Sequence, residues 1–73
     1  PSIYRVLRTR VTNSEAGPSI YMEVTIMYGC KVKETLKEFK EKAIKEIENL
    51  TAMNVVSIEV VAKNVYVPPK EEN

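Results

Sequence analysis

Apolar residues recur at Val32, Leu36, Phe39, Ala43, Ile47 and Leu50, in steps of four, three, four, four and three. This is the spacing of a helix with one buried stripe. Ile44 widens the stripe, and the positions between are almost wholly Lys and Glu. Glu38 and Glu41 precede Lys42 and Lys45 by four residues, the favourable order on an exposed helix face, yet such a pair contributes only about 0.2–0.5 kcal/mol. The helix therefore depends on burying its stripe against a sheet. Its start is read between Val32, where the stripe begins, and Thr35, which with Glu38 spells a capping box. Its end is read near residues 49–51.

The flanking segments carry a strand pattern. Residues 20–28 alternate, with Ile20, Met22, Val24, Ile26 and Tyr28 on one face and Tyr21, Glu23, Thr25 and Met27 on the other. Gly29 then allows a sharp turn into the helix. Residues 3–11 mix β-branched, aromatic and arginine residues and read as a strand with a solvated face. Arg5, Arg8 and Arg10 do not fit one face of a period-two strand, which points to an edge position or a bulge. Residues 12–19 hold Asn, Ser, Gly and Pro and read as a loop, long for a tight hairpin. After the helix, residues 52–54 form a short connection, and residues 55–67 read as a Val-rich strand. Strict alternation puts Val56, Ile58, Val60 and Ala62 on one face and Val61, Val65 and Val67 on the other.

The predicted architecture is a small α+β domain of ββαβ order over residues 1–67, with one amphipathic helix on one face of a three-stranded sheet. Pro68 and Pro69 end the last strand, and a polar tail covers residues 68–73. The first two strands pair antiparallel, and the helix returns the chain so that the third runs parallel to the second. Whether the third strand neighbours the first or the second is left open. One helix covers only one sheet face, so Tyr21, Met27, Val61, Val65 and Val67 are the expected contacts for a second copy or a further segment. Tyr28, Gly29 and Thr51 are expected to fix the turn before the helix and the helix end.

Composition narrows the chemistry. A 73-residue chain lies near the lower limit for a single self-sufficient core, so a partner chain is expected. With no His, one Cys and only two glycines, the sequence offers no zinc set, no phosphate-cradling Gly-rich loop and no nucleophile with a base beside it. No catalytic residue, cofactor or metal is expected. Cys30 reads as a small, partly buried apolar residue; the competing reading is a low-pKa thiolate near the helix start beside Lys31 and Lys33. A lone Cys fits a reducing compartment, and the lack of any apolar run of about 18 residues argues against direct membrane insertion.

From residue 19 to residue 65 the chain resembles the alkaline shock protein family, bacterial proteins of the envelope stress response. The resemblance rests on the strand ending Val24, Ile26, Tyr28 and Gly29, on the Lys/Glu-rich helix closing at Ile47, Leu50 and Thr51, and on the last strand with Val56, Ile58, Val60 and Val65. Three departures stand out. Ala52 occupies the place of a Gly after the Thr, which puts a left-handed helix cap in question. Lys40 replaces a mid-helix Gln, and the family's helical part ahead of the first strand has no counterpart. The resemblance implies a non-enzymatic cytoplasmic protein that self-associates and is linked to the cell envelope through a membrane-anchored partner.

The alternative is a small domain binding RNA or single-stranded nucleic acid on a sheet face bearing Arg5, Arg8, Arg10, Tyr4, Tyr21 and Tyr66. A net charge of +1 and a helix with balanced Lys and Glu argue against it.

Overall fold

The computed structural model describes residues 2–70. The chain runs β1 (Ile3–Ser14), β2 (Gly17–Met27), α1 (Val32–Thr51) and β3 (Ser57–Tyr66), the expected ββαβ order. β2 lies in the centre, antiparallel to β1 and parallel to β3. The third strand thus neighbours the second. Of the polar tail expected over residues 68–73, residues 71–73 lie outside the described residues.

The hairpin is tighter than its composition predicted. Pairing continues to Ser14 and Gly17, leaving Glu15 and Ala16 as the turn, and the Ser14 hydroxyl donates to the Gly17 carbonyl at 3.0 Å. Gly17 takes the left-handed step, with φ +129. A side chain there would run into the carbonyl oxygen of Asn54, so this glycine also lets the α1–β3 connection pass close beneath the hairpin. Pro18 sits buried in β2, where its carbonyl accepts the Val56 N–H at 2.8 Å. A proline is tolerated there because it lies next to the strand's first residue, where few ladder bonds are at stake.

The capping box is not used. Lys31 is extended (φ −82, ψ 101) and precedes the first helical residue, Val32, without a side-chain cap. Thr35 lies a turn into the helix and is buried, its N–H donating to the Lys31 carbonyl at 2.8 Å. Glu34 in the first turn has the sign that complements the helix dipole. At the other end Ala52 adopts the left-handed conformation, φ 57 and ψ 20, and its N–H donates to the Glu48 carbonyl at 2.9 Å. The left-handed cap therefore forms without the glycine that usually supplies it, at about 1–2 kcal/mol of backbone strain. Two side chains hold the following turn. Thr51 Oγ1 donates to the Ile47 carbonyl at 2.7 Å and accepts the Met53 N–H at 3.2 Å, and Glu48 Oε2 accepts the Val55 N–H at 3.0 Å.

The core is formed by Val24, Ile26 and Val60, with Leu36 and Phe39 of α1 packed on them and Ile3, Met22, Cys30, Ile58 and Ala62 around the margin. The period-two assignment of β2 holds throughout, because Ile20, Val24 and Ile26 are buried towards the helix. In both outer strands it fails. Register shifts occur in β1 between Ile3 and Arg5 and between Val6 and Arg8, and in β3 opposite the step from Val24 to Thr25. Each inserts one unpaired residue, and everything beyond it changes face relative to simple alternation.

Candidate functional site

The shifted registers redistribute the sequence between the two faces of the sheet. On the helix side stand Ile3, Val6, Thr9 and Val11 of β1, opposite Ile26, Val24, Met22 and Ile20. On β3, Ala62 pairs with Val24, and after the bulge Val65 pairs with buried Ile26. Val65 therefore belongs to the helix side, contrary to the expectation that it shares a face with Val61. The cause is the extra residue at Lys63–Asn64, which a strict period of two does not contain.

α1 packs closest to β3 and leaves the helix-side surface of β1 partly uncovered. Val6 and Val11 face the same way as Val24 and Ile20, which are buried, yet remain 44% and 54% exposed. Beside them a cleft of about 670 Å³ opens between α1 and the sheet. Ile3, Met22, Phe39, Ala43 and Ile47 form its apolar lining, with Glu38, Lys42 and Glu46 on the helical rim. The sequence pattern concealed this surface, since apolar positions 3, 6 and 11 show neither helical nor strand spacing.

The opposite face is polar and aromatic. Arg5, Arg8 and Arg10 pair with Thr25, Glu23 and Tyr21, so the bulge between Val6 and Arg8 gathers all three arginines on this face, where simple alternation would have divided them. Tyr4 and Tyr66 reach across β2 and stack, with centroids 3.9 Å apart and planes 4° from parallel. The Arg5 guanidinium lies 5.5 Å from the Tyr4 ring centre. Glu23 accepts the Tyr21 hydroxyl at 2.8 Å on Oε2, and Lys63 Nζ lies 4.0 Å from the same oxygen. That hydrogen bond pushes the Tyr21 pKa above 10.0; burial and the charges of Glu23 and Glu59 add to it, and Arg8 opposes it. Both Arg8 and Glu59 thus act on the Tyr21 hydroxyl from this face.

The five expected contact residues are consequently divided. Tyr21, Met27 and Val61 are half-buried on the open face, whereas Val65 and Val67 are among the exposed apolar residues. Tyr28 contributes through its backbone, donating its N–H to the Tyr66 carbonyl at 2.8 Å while its ring is exposed. Gly29 takes φ +88 with nothing near its Cα hydrogens, so backbone freedom in the turn is its contribution. Thr51 holds the helix end through the two bonds described above. Cys30 is half-buried against the core margin. Among the described residues, no three His, Cys, Asp or Glu side chains converge as a metal site would require, and no helix is long and apolar enough to cross a membrane.

A three-stranded sheet with one helix, a thin core and two differently lined exposed surfaces defines a small α+β domain whose distinctive chemistry lies on its surfaces. A family model with a described cell envelope-related function matches residues 9–67. The chain belongs to this family, the alkaline shock protein 23 family, and the match reaches back from residue 19 into the second half of β1. The family is described by a cell envelope-related function and is not a known enzyme family. No curated protein and no solved structure matches the chain.

Proposed function

We propose that this domain is a non-enzymatic interaction protein of the cell envelope, which self-associates and docks a membrane-anchored partner at the inner face of the membrane. One observation carries the reading. Among the described residues the buried hydrophobic side chains are Ile20, Val24, Ile26 and Val60, while Val6, Leu7, Val11, Val65 and Val67 remain exposed together with other large apolar residues. A domain this small buries too little apolar surface to be strongly stable alone, and an exposed apolar patch of this kind marks an interaction surface. The association surface is the helix-side flank of the sheet, with Val6, Val11 and the cleft at its centre and Val65 and Val67 at its edge.

Faces, rather than edges, make the contact. Both outer strands carry bulges, and β1 adds three arginines, devices that discourage strand-to-strand addition.

Light scattering coupled to size exclusion tests the reading. The unmodified chain is expected to elute above the mass of one copy, and Val6→Glu with Val11→Glu to elute as a monomer with an unchanged circular dichroism spectrum. A single-copy mass for the unmodified chain at every concentration, or an oligomer indifferent to both substitutions, would overturn the self-association.

A further inference from the structure

We propose that the open sheet face binds single-stranded nucleic acid, with the phosphate backbone along Arg5, Arg8 and Arg10 and bases stacked against the Tyr4–Tyr66 pair. The inference is independent of the docking surface, which lies on the other side of the sheet.

The arginine ladder is the first support. The β2 partners of Arg5, Arg8 and Arg10 are Thr25, Glu23 and Tyr21, so the arginines are attached at steps of two β2 residues, about 6.7 Å along the strand. That step resembles the separation of neighbouring phosphates in an extended single strand. Arginine suits the task, since its planar fork pairs with phosphate oxygens in a bidentate manner. None of the three has a carboxylate within ion-pair distance among the described residues. Glu23, the acid at the centre of the face, is already engaged by Tyr21 and Lys63, which moderates its repulsion of an anion. Counting Lys63 against Glu23 and Glu59, the face carries four cationic and two anionic side chains.

The aromatic pair is the second support. Tyr4 and Tyr66 lie at the end of the ladder where Arg5 stands, stacked on one another across β2. Tyr4 is flanked by Tyr66 and by the Arg5 guanidinium over its ring, so the half-buried Tyr66 is the ring that offers π surface beside the cationic row, the combination by which proteins hold unpaired bases. An acidic peptide would use the arginines but gain nothing from the rings. The net charge of +1 that argues against nucleic-acid binding for the chain as a whole includes the balanced Lys and Glu of α1, which stand on a separate element.

Fluorescence anisotropy with a labelled short oligouridylate tests the proposal, with polyglutamate as competitor. Three phosphate contacts predict a slope of about −2 in log K against log salt, a loss of about twentyfold between about 50 and 200 mM. Arg5→Gln, Arg8→Gln and Arg10→Gln together should abolish the slope, and the corresponding lysine triple should restore it, which separates lost charge from lost fold. Tyr66→Leu should weaken binding about tenfold and Tyr66→Phe hardly at all, since stacking requires the ring alone. Absence of binding at low salt overturns the proposal. So does equal competition by polyglutamate with no effect of Tyr66→Leu, which would assign the face to an acidic protein.

Discussion

Replacing Val24 by Ala removes the one large side chain that is completely buried among the described residues, at the point where β1, β2 and β3 meet through Val6 and Ala62. Two carbon groups leave the core, worth about 1.6 kcal/mol of transfer free energy at about 0.8 kcal/mol per group. If the neighbours do not close the resulting space of about 50 Å³, a further ~1.2 kcal/mol is lost at about 24 cal/mol per Å³. The expected cost is therefore about 2–3 kcal/mol, set against a total of about 4–11 kcal/mol for a chain of this length. Urea unfolding followed by far-ultraviolet circular dichroism should show the midpoint falling by about 2–3 M, given a slope near 1 kcal/mol per M. Val11→Ala is the matched comparison, because Val11 faces the same way but is 54% exposed. In dilute protein it should cost less than about 1 kcal/mol. At high concentration the cost should grow, since association stabilises the folded state by mass action. A Val24→Ala variant within about 0.5 kcal/mol of the unmodified chain would mean that the core described here does not hold the fold together.

Gly17→Ala places a side chain at φ +129 against the Asn54 carbonyl and should destabilise by more than about 1 kcal/mol, measured by the same unfolding assay. Ala52→Gly should act in the opposite direction, raising stability by about 1 kcal/mol through relief of the left-handed cap; no gain would mean that the helix end is not held in that conformation. The Tyr21 pKa is raised in the folded state by its bond to Glu23. The contribution is therefore fully present below pH 10.0 and is lost as pH rises through the folded value. Ultraviolet titration should show the Tyr21 phenol ionising at lower pH in Glu23→Gln than in the unmodified chain, and a titration unchanged by that substitution would contradict the Tyr21–Glu23 bond.

What the sequence disclosed and what it withheld follow from one physical distinction. The β2 alternation was readable because the central strand has partners on both sides to enforce its period, and the middle of the α1 stripe was readable because Leu36, Phe39, Ala43 and Ile47 are half-buried, whereas its ends, Val32 and Leu50, stay exposed. The outer strands pair on one side only, so each tolerates an extra residue. The irregular spacing of Arg5, Arg8 and Arg10 did signal a bulge, but its consequence, that all three share a face, needs the register with β2. For Val65 there was no such signal, because Lys63 and Asn64 look like an unbroken strand. The loop expected over residues 12–19 was shortened by tertiary contact, Pro18 being recruited into β2 by Val56. Thr35 with Glu38 matched a capping box by composition, yet burial of Thr35 beside the cleft placed it inside the helix.

The surfaces were less accessible still. That a second face would remain uncovered was inferable from one helix and three strands. That the greasy portion lies beside the helix, with the arginines and tyrosines behind it, depends on where α1 rests, and nothing in the stripe itself determines whether it settles over β1 or β3.

Hydrogen–deuterium exchange of the unmodified chain in dilute and in concentrated solution tests most directly whether the flank beside α1 is where the protein meets its own kind. Protection should rise at the β1 amides around Val6 and Val11 and along the Phe39–Ile47 side of the helix. Exchange that is unchanged with concentration, or protection confined to the arginine-bearing face, would contradict it.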